Sequence, residues 1–419
     1  MKLKNLFGMA AMAALVLSGC SSDEVVENFS PENVIEFGTY VGRDAQSRVA
    51  ETTTTTLQAS EEGFGVFATY NQNLTTGTTP NFMNNQQVKY DANSTNEVTK
   101  WTYSPIKYWP NNANAEVDFW AYAPYNDENN KATVPTFKIH DGKDYVATEK
   151  KTEGKQAVND KVVFEFNHVM SRIGFKVEAV LDEIEHTTDQ NGKPSDEEAD
   201  EGTDSTPDND FEKDKQGNAI TTIVVTEVSL DYAFVKDGTM TWGTVTSDDG
   251  TTSERWILTE TEDSKLTENH KLTVNDNNIN TFKTIDEVEC AKAVGNEGDE
   301  GYKEAETVKG QKATISSAQL NKDDAYFMVV PQTATDMTIT VKYSVITKDD
   351  KLATGYSCVN NTVTSDKFTF LFERNHAYNF VLHLGMTSVK FDAEVKNSWE
   401  ESDVIVNVPL NETTVEKKN

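Results

Sequence analysis

The side chains of this sequence best able to do chemistry are six histidines, 69 carboxylates, three cysteines and a dense run of aromatic rings. The histidines are His140, His168, His186, His270, His376 and His383, and they form no i, i+4 pair and no Cys/His cluster at metal-ligand spacing. His168 closes the run "VVFEFNH" and His383 alternates within "YNFVLHL", positions that suit packing or hydrogen bonding better than proton transfer. HExxH, GxSxG, P-loop and GxGxxG patterns are absent, and carboxylates are too many to single out a catalytic pair. Asp208, Asp210 and Asp214 cluster, but without the alternate acids and sixth-position glycine of an EF-hand loop. The expectation is no enzyme, no metal and no cofactor. Trp101, Tyr103, Tyr108, Trp109, Trp120, Tyr122 and Tyr125 form the aromatic run. Flat rings stack on sugars, so Trp101, Trp109 and Trp120 are candidate glycan contacts. Phe119, Ala121 and Ala123 alternate with Trp120 and Tyr122, so at least one face of that strand is core, and packing accounts for most of the rings.

The elements that would carry these residues have a period of two. "VVFEF" puts Val162, Phe164 and Phe166 on one face, and "IGFKV" does the same with Ile173, Phe175 and Val177. "TEVSLDYAF", "TITVKYS", "FTFLF" and "YNFVLHL" continue the pattern. Short alternating runs without a competing amphipathic helix predict an all-β protein of half-buried antiparallel strands, packed as sandwiches. A chain of 419 residues predicts two domains. Residues 181–218 are acidic, rich in Gly and Pro and poor in apolar side chains, which predicts a solvated loop insertion. A second polar insertion runs from about Ser247 to Gly310, with apolar islands "RWILT" and "HKLTV". Near the start, "QSRVAETTTTTLQ" reads as a thin polar neck whose threonines favour extended backbone.

Net charge is −31, which argues against a nucleic-acid partner, since phosphate binding needs a basic face. At the N-terminus, Lys2 and Lys4 precede an apolar run from Leu6 to Leu17, too short to span a bilayer, then Ser18, Gly19 and Cys20. This reads as a signal peptide, and "LSGC" resembles the lipobox of bacterial lipoproteins. That resemblance implies cleavage after residue 19, lipid on the Cys20 thiol and an outer-membrane anchor. The acidic stretch behind Cys20 is either a plain solvated tether or, by resemblance to Bacteroidetes lipoproteins, a surface-export signal. Cys290 and Cys358 could pair in an oxidising compartment, but their separation is not legible in the sequence.

Several stretches together resemble the Bacteroidetes fimbrillin-like family. They are "KWTYSPIKYWPNNANAEVDFWAYAPY", "VVFEFNHVMSRIGFKV", "AYFMVVPQT", "FERNHAYNFVLHLG" and "VKNSW", in family order from roughly Ile35 to Leu410. The resemblance implies two tandem transthyretin-like β-sandwiches. The expected organisation is a signal peptide at 1–19, a lipidated tether with first strand at 20–56, sandwiches at 57–157 and 158–410, and a tail at 411–419.

It further implies a surface pilus subunit that polymerises by strand exchange. A protease removes the first strand after an arginine, and a strand from the next subunit fills the groove. The strand to be removed matches "NVIEFGTYV", with Ile35, Phe37, Thr39 and Val41 as its better-buried face. The cut would follow Arg48, or else Arg43; alternatively Arg48 is a solvated charge in a flexible neck. The donor would be Val404, Ile405, Val406 and Val408 in "DVIVNVPL", unless these simply form the last strand of their own domain. Implied partners are other pilin subunits, the outer membrane through Cys20, and host or bacterial surface glycans or proteins. A glycan-binding lipoprotein that never polymerises is the alternative.

Overall fold

The computed structural model describes residues 34–41, 51–70, 79–94, 100–112, 114–129, 133–154, 161–179, 220–261, 270–277, 282–314, 317–322, 326–385, 389–397 and 403–407. For 389–397 and 403–407 only the backbone course is described. Cys20, Arg43, Arg48, Val408 and the acidic insertion lie outside the described residues. The all-β expectation holds: one short α-helix, α1 (Thr54–Ala59), accompanies 24 strands among the described residues.

The first nine strands are β1 (Phe37–Val41), β2 (Phe64–Tyr70), β3 (Met83–Tyr90), β4 (Trp101–Thr102), β5 (Glu116–Ala123), β6 (Thr136–His140), β7 (Val146–Thr148), β8 (Lys151–Gly154) and β9 (Val162–His168). All but β6 join one sheet of order β1-β9-β7-β5-β2-β3-β4, with β8 also paired to β5. At its centre β5 is buried on both faces. Val117, Phe119, Ala121 and Ala123 enter one core with Phe37, Phe64, Phe164 and Phe166, while Trp120 and Tyr122 enter another. Period-two geometry makes this division automatic.

The remaining strands are β10 (Ser171–Ala179), β11 (Thr221–Tyr232), β12 (Asp237–Thr246), β13 (Thr252–Glu260), β14 (His270–Asn275), β15 (Asp286–Ala291), β16 (Glu306–Lys312), β17 (Ala318–Gln319), β18 (Phe327–Val329), β19 (Gln332–Lys348), β20 (Tyr356–Thr364), β21 (Phe368–Phe372), β22 (His376–Leu384), β23 (Val389–Asn397) and β24 (Asp403–Asn407). The sheet β17-β10-β22-β23-β24 faces the sheet β15-β16-β11-β19-β20. Ile173, Phe175 and Val177 of β10 meet Val228, Leu230, Ile339 and Val341 across a single apolar core. That is a sandwich built from the inward faces of alternating strands.

Three expectations need correction. The sheets are mixed rather than antiparallel, because β1 runs parallel to β9 and β10 runs parallel to β22. Both parallel pairs join strands far apart in sequence, as crossover connections require. The expected boundary at 157/158 falls too early, since β9 belongs to the first sheet and the chain passes between units at Val169 and Met170. The second polar insertion is not a loop, for it contributes β13, β14, β15 and β16.

The two units interlock. β12 pairs with β6 from Asp237↔His140 to Thr241↔Thr136, so the β12–β13 hairpin of the second half covers the outer face of the first sheet. Trp242 and Trp256 of that hairpin pack with Trp120, Tyr122 and Phe137, and the Trp256 Nε1–H donates to the Thr148 carbonyl at 2.7 Å.

Candidate functional site: the first-strand groove and its anchor

The first strand occupies an edge of its sheet, parallel to β9, in the register Phe37↔Val162 through Val41↔Phe166. Ile35, Phe37 and Val41 are buried, and Thr39 shares their face half-exposed. The Phe37 ring sits 5.4 Å from Phe164, 5.3 Å from Tyr103, 6.2 Å from Phe119 and 6.3 Å from Phe64. Full burial of one such ring contributes roughly 1.5–3 kcal/mol.

A second wall holds the start of the strand. The Ile35 N–H donates to the Lys107 carbonyl at 3.0 Å, and Val34 bridges Tyr108 in antiparallel fashion. The Tyr103 hydroxyl donates to the Ile35 carbonyl at 2.8 Å, and burial pushes that phenol well above its usual range. The stretch "WTYSPIKYWP" thus forms one wall of the first-strand groove. Glu36 is the weak point. One of its carboxylate oxygens is buried without a hydrogen-bond partner, and burial raises its pKa against the opposing pull of Lys161.

The neck behind β1 departs from the extended tether expected. Residues 54–59 form α1, although threonine is a poor helix former. Thr53 caps the helix reciprocally. Its hydroxyl accepts from the Thr56 N–H at 3.1 Å, while the Thr56 hydroxyl accepts from the Thr53 N–H at 2.7 Å. Leu57 plugs the first core, and the Val41 N–H donates to the Thr54 hydroxyl at 3.0 Å, tying strand to helix.

Two buried polar contacts pin the neck to the junction of the units. Glu51 pairs with Arg172, both nearly enclosed, and the guanidinium lies 4.4 Å from the centre of the Tyr326 ring. The Thr52 N–H donates to Asp144 Oδ2 at 2.7 Å, and the same carboxylate meets His168 Nδ1 at 2.9 Å. A cleft of about 270 Å³ opens beside them, lined by residues that include Glu51, Thr52, Leu57, Glu62, Lys143 and Asp144. Among the described residues no group of three or more His, Cys, Asp or Glu side chains is placed to hold a metal ion.

Sequence reasoning did not foresee this anchor. Arg172 in the apolar run "VMSRIGFKV" was its one visible signal, since a charge there needs a buried partner.

The three tryptophans expected as glycan contacts are buried. Trp101 packs edge-on to Phe64 at 5.0 Å, Trp109 to Phe119 at 5.9 Å and Trp120 to Trp242 at 5.9 Å. Their faces are consumed by the two cores of the first unit, so none presents a platform to a sugar. The backbone of Val404, Ile405 and Val406 forms β24, paired antiparallel with β23 in the register Val404↔Val395 to Val406↔Ala393. That strand occupies an edge of the second unit, beside its own chain.

A family profile described as fimbrillin-like matches residues 47–255, which take in the anchor, nearly all of the first sheet and the β12 strand that covers it. The chain belongs to the fimbrillin-like family. A fimbrium subunit, Fim1C of Phocaeicola vulgatus, is 36% identical over 133 residues, which are 30% of this fimbrillin-like chain. The match spans about a third, 32%, of that relative's length. Among solved structures, a candidate cell adhesion protein from Bacteroides uniformis aligns at a TM-score of 0.36 and 14% identity, over 87% of this chain and 98% of the other. A counterpart from Bacteroides ovatus aligns at 0.35 and 12%, over 89% and 100%. Likeness at that level does not define the fold.

Proposed function

We propose that this fimbrillin-like chain is a cell-surface fimbrial subunit with a role in adhesion, exported as a lipoprotein anchored through Cys20. It polymerises when cleavage after Arg48, or after Arg43, releases β1 and a neighbouring subunit's C-terminal strand takes its place. The role is structural rather than catalytic. The observation that carries the reading is the seating of β1. It is an edge strand with one ladder neighbour, yet Ile35, Phe37 and Val41 fill a core that its departure would leave open. A vacated edge of this kind offers unpaired backbone groups and apolar pockets at alternate positions, which an incoming strand of the same period satisfies. Val404, Val406 and Val408 supply such a period. The anchor fits the same reading, because Glu51 and Thr52 would hold the new N-terminus in place once everything before Val49 is gone. The two halves, transthyretin-like sandwiches in this reading, would transmit load as one body through the β6–β12 pairing.

The test is the mature N-terminus of the chain in purified surface material, read by mass spectrometry alongside laddering on non-boiled gels. Chains beginning at Val49, or at Asp44 for the Arg43 cut, in a ladder of multimers are the expected result. Chains that all begin at lipidated Cys20, with no ladder, would overturn polymerisation and leave a non-polymerising surface lipoprotein.

A further inference from the structure

The two cysteines of the second unit meet at a seam. In the sheet β15-β16-β11-β19-β20 the strands at the two ends of the order, β15 and β20, return to each other. The Lys292 N–H, just past β15, donates to the Thr354 carbonyl at 2.8 Å, and the Tyr356 hydroxyl of β20 donates to Glu289 Oε2 at 3.1 Å. Gly355, at a φ of +71°, lets the turn before β20 press against the Lys292 side chain. The ring so closed surrounds a small core of Val224, Cys290 and Ile346, edged by Val288, Val308 and Tyr356.

Cys290 is the residue at which the β15–β16 register slips, between Glu289 and Ala291. A bulge re-aims its side chain, and here the thiol is buried against Ile346. Cys358 is the direct cross-strand partner of Ile346. It also lies two residues beyond Tyr356, and so on the same face of β20. Its thiol donates to Asn360 Oδ1 at 3.8 Å, and the two cysteines are therefore brought together on either side of Ile346.

We propose that Cys290 and Cys358 form an intrachain disulfide that seals the seam between β15 and β20. The oxidant is a disulfide of the glutathione class. The exposed Cys358 thiolate attacks one of its sulfurs and expels one thiolate. Cys290, deprotonated, then attacks the Cys358 sulfur of the mixed disulfide and expels the second. Two protein thiols are oxidised, one disulfide is reduced to two thiols, and the two protons pass to the leaving groups. Bond formation in the cell rests on the export reading above; the reaction in vitro does not.

The experiment exposes the full chain, purified with reductant and then freed of it, to oxidised glutathione and maps its tryptic peptides without reduction. The expected product is a cross-linked pair of peptides carrying Cys290 and Cys358, two hydrogens lighter than their sum. Oxidation should raise Tm by about 5 °C, and the Cys358→Ser chain should show no such rise. In the Cys290→Ser chain, Cys358 should stop at the glutathione adduct. Recovery of both cysteines as free thiols, or as separate glutathione adducts in the native sequence, would overturn the proposal.

Discussion

Replacing Glu51 with Ala tests the anchor behind the first strand. The carboxylate is buried against Arg172, so its loss leaves a guanidinium enclosed without its counter-charge. Removing one partner of a buried pair costs about 3–5 kcal/mol. The Tyr326 ring below the guanidinium survives the substitution and offsets about 1 kcal/mol of that. The expected destabilisation is therefore about 2–4 kcal/mol. Urea titration followed by tryptophan fluorescence reads it directly, because five tryptophans are buried in the first unit and the hairpin covering it: Trp101, Trp109, Trp120, Trp242 and Trp256. Removing both charges, as Glu51→Leu with Arg172→Leu, should cost less than Glu51→Ala alone, since no unpaired charge remains. The loss in the single variant should persist at high salt, because ions do not screen an enclosed pair. A single-variant loss below about 1 kcal/mol, or a double variant no better than the sum of its parts, would refute the anchor.

Glu36→Gln should stabilise the seating of β1 at neutral pH. The folded-state pKa of Glu36 is raised, so the carboxylate lowers stability as pH climbs through that raised value. The gain in Tm should vanish at pH values below the ordinary glutamate range, and a gain independent of pH would contradict the assignment. Thr53→Ala removes the cap of α1 and should cost about 1 kcal/mol, read by the same urea titration and by faster proteolysis around residues 42–56. Partial desolvation at the seam first, then the neighbouring Cys290 and Glu306, pushes the otherwise exposed Cys358 thiol up to about 11. Disulfide formation should therefore speed up about tenfold per pH unit between about pH 7 and 9, as the thiolate fraction does; a flat profile would show that Cys358 is not the attacking group.

Alternation made the main strands legible. "IGFKV" and "VVFEF" put the expected side chains in the core, because a strand facing solvent on one side leaves its burial pattern in the order of residue types. The better-buried face of β1 was legible for the same reason. The neck was not. Five threonines argue against a helix, and the residue answering Thr53 in the cap is another threonine rather than the glutamate of a capping box. Glu51 and Arg172 lie 121 positions apart, and nothing local to either names the other. β15 and β16 escaped notice because each buries a single residue and leaves the rest half-buried or exposed, as in the sequences DEVECA and ETVKGQK, and their pairing is set by the ring they close. The tryptophans misled as candidate sugar platforms because a ring that packs and a ring that binds have the same letter in the sequence.

The parallel alignment of β1 and β9 also has a mechanical side. A load drawn along the axis of β1 from the chain ahead of Val34 pulls on all its ladder bonds to β9 together, in shear, with Phe37 as a bolt seated among four rings. A load applied across the strand at Val41 meets those bonds one at a time, as a zip does, once the contact with Thr54 has parted. The same five residues are therefore a strong joint in one direction and a weak one in the other, and a protease that frees the Val41 end exposes the weak direction.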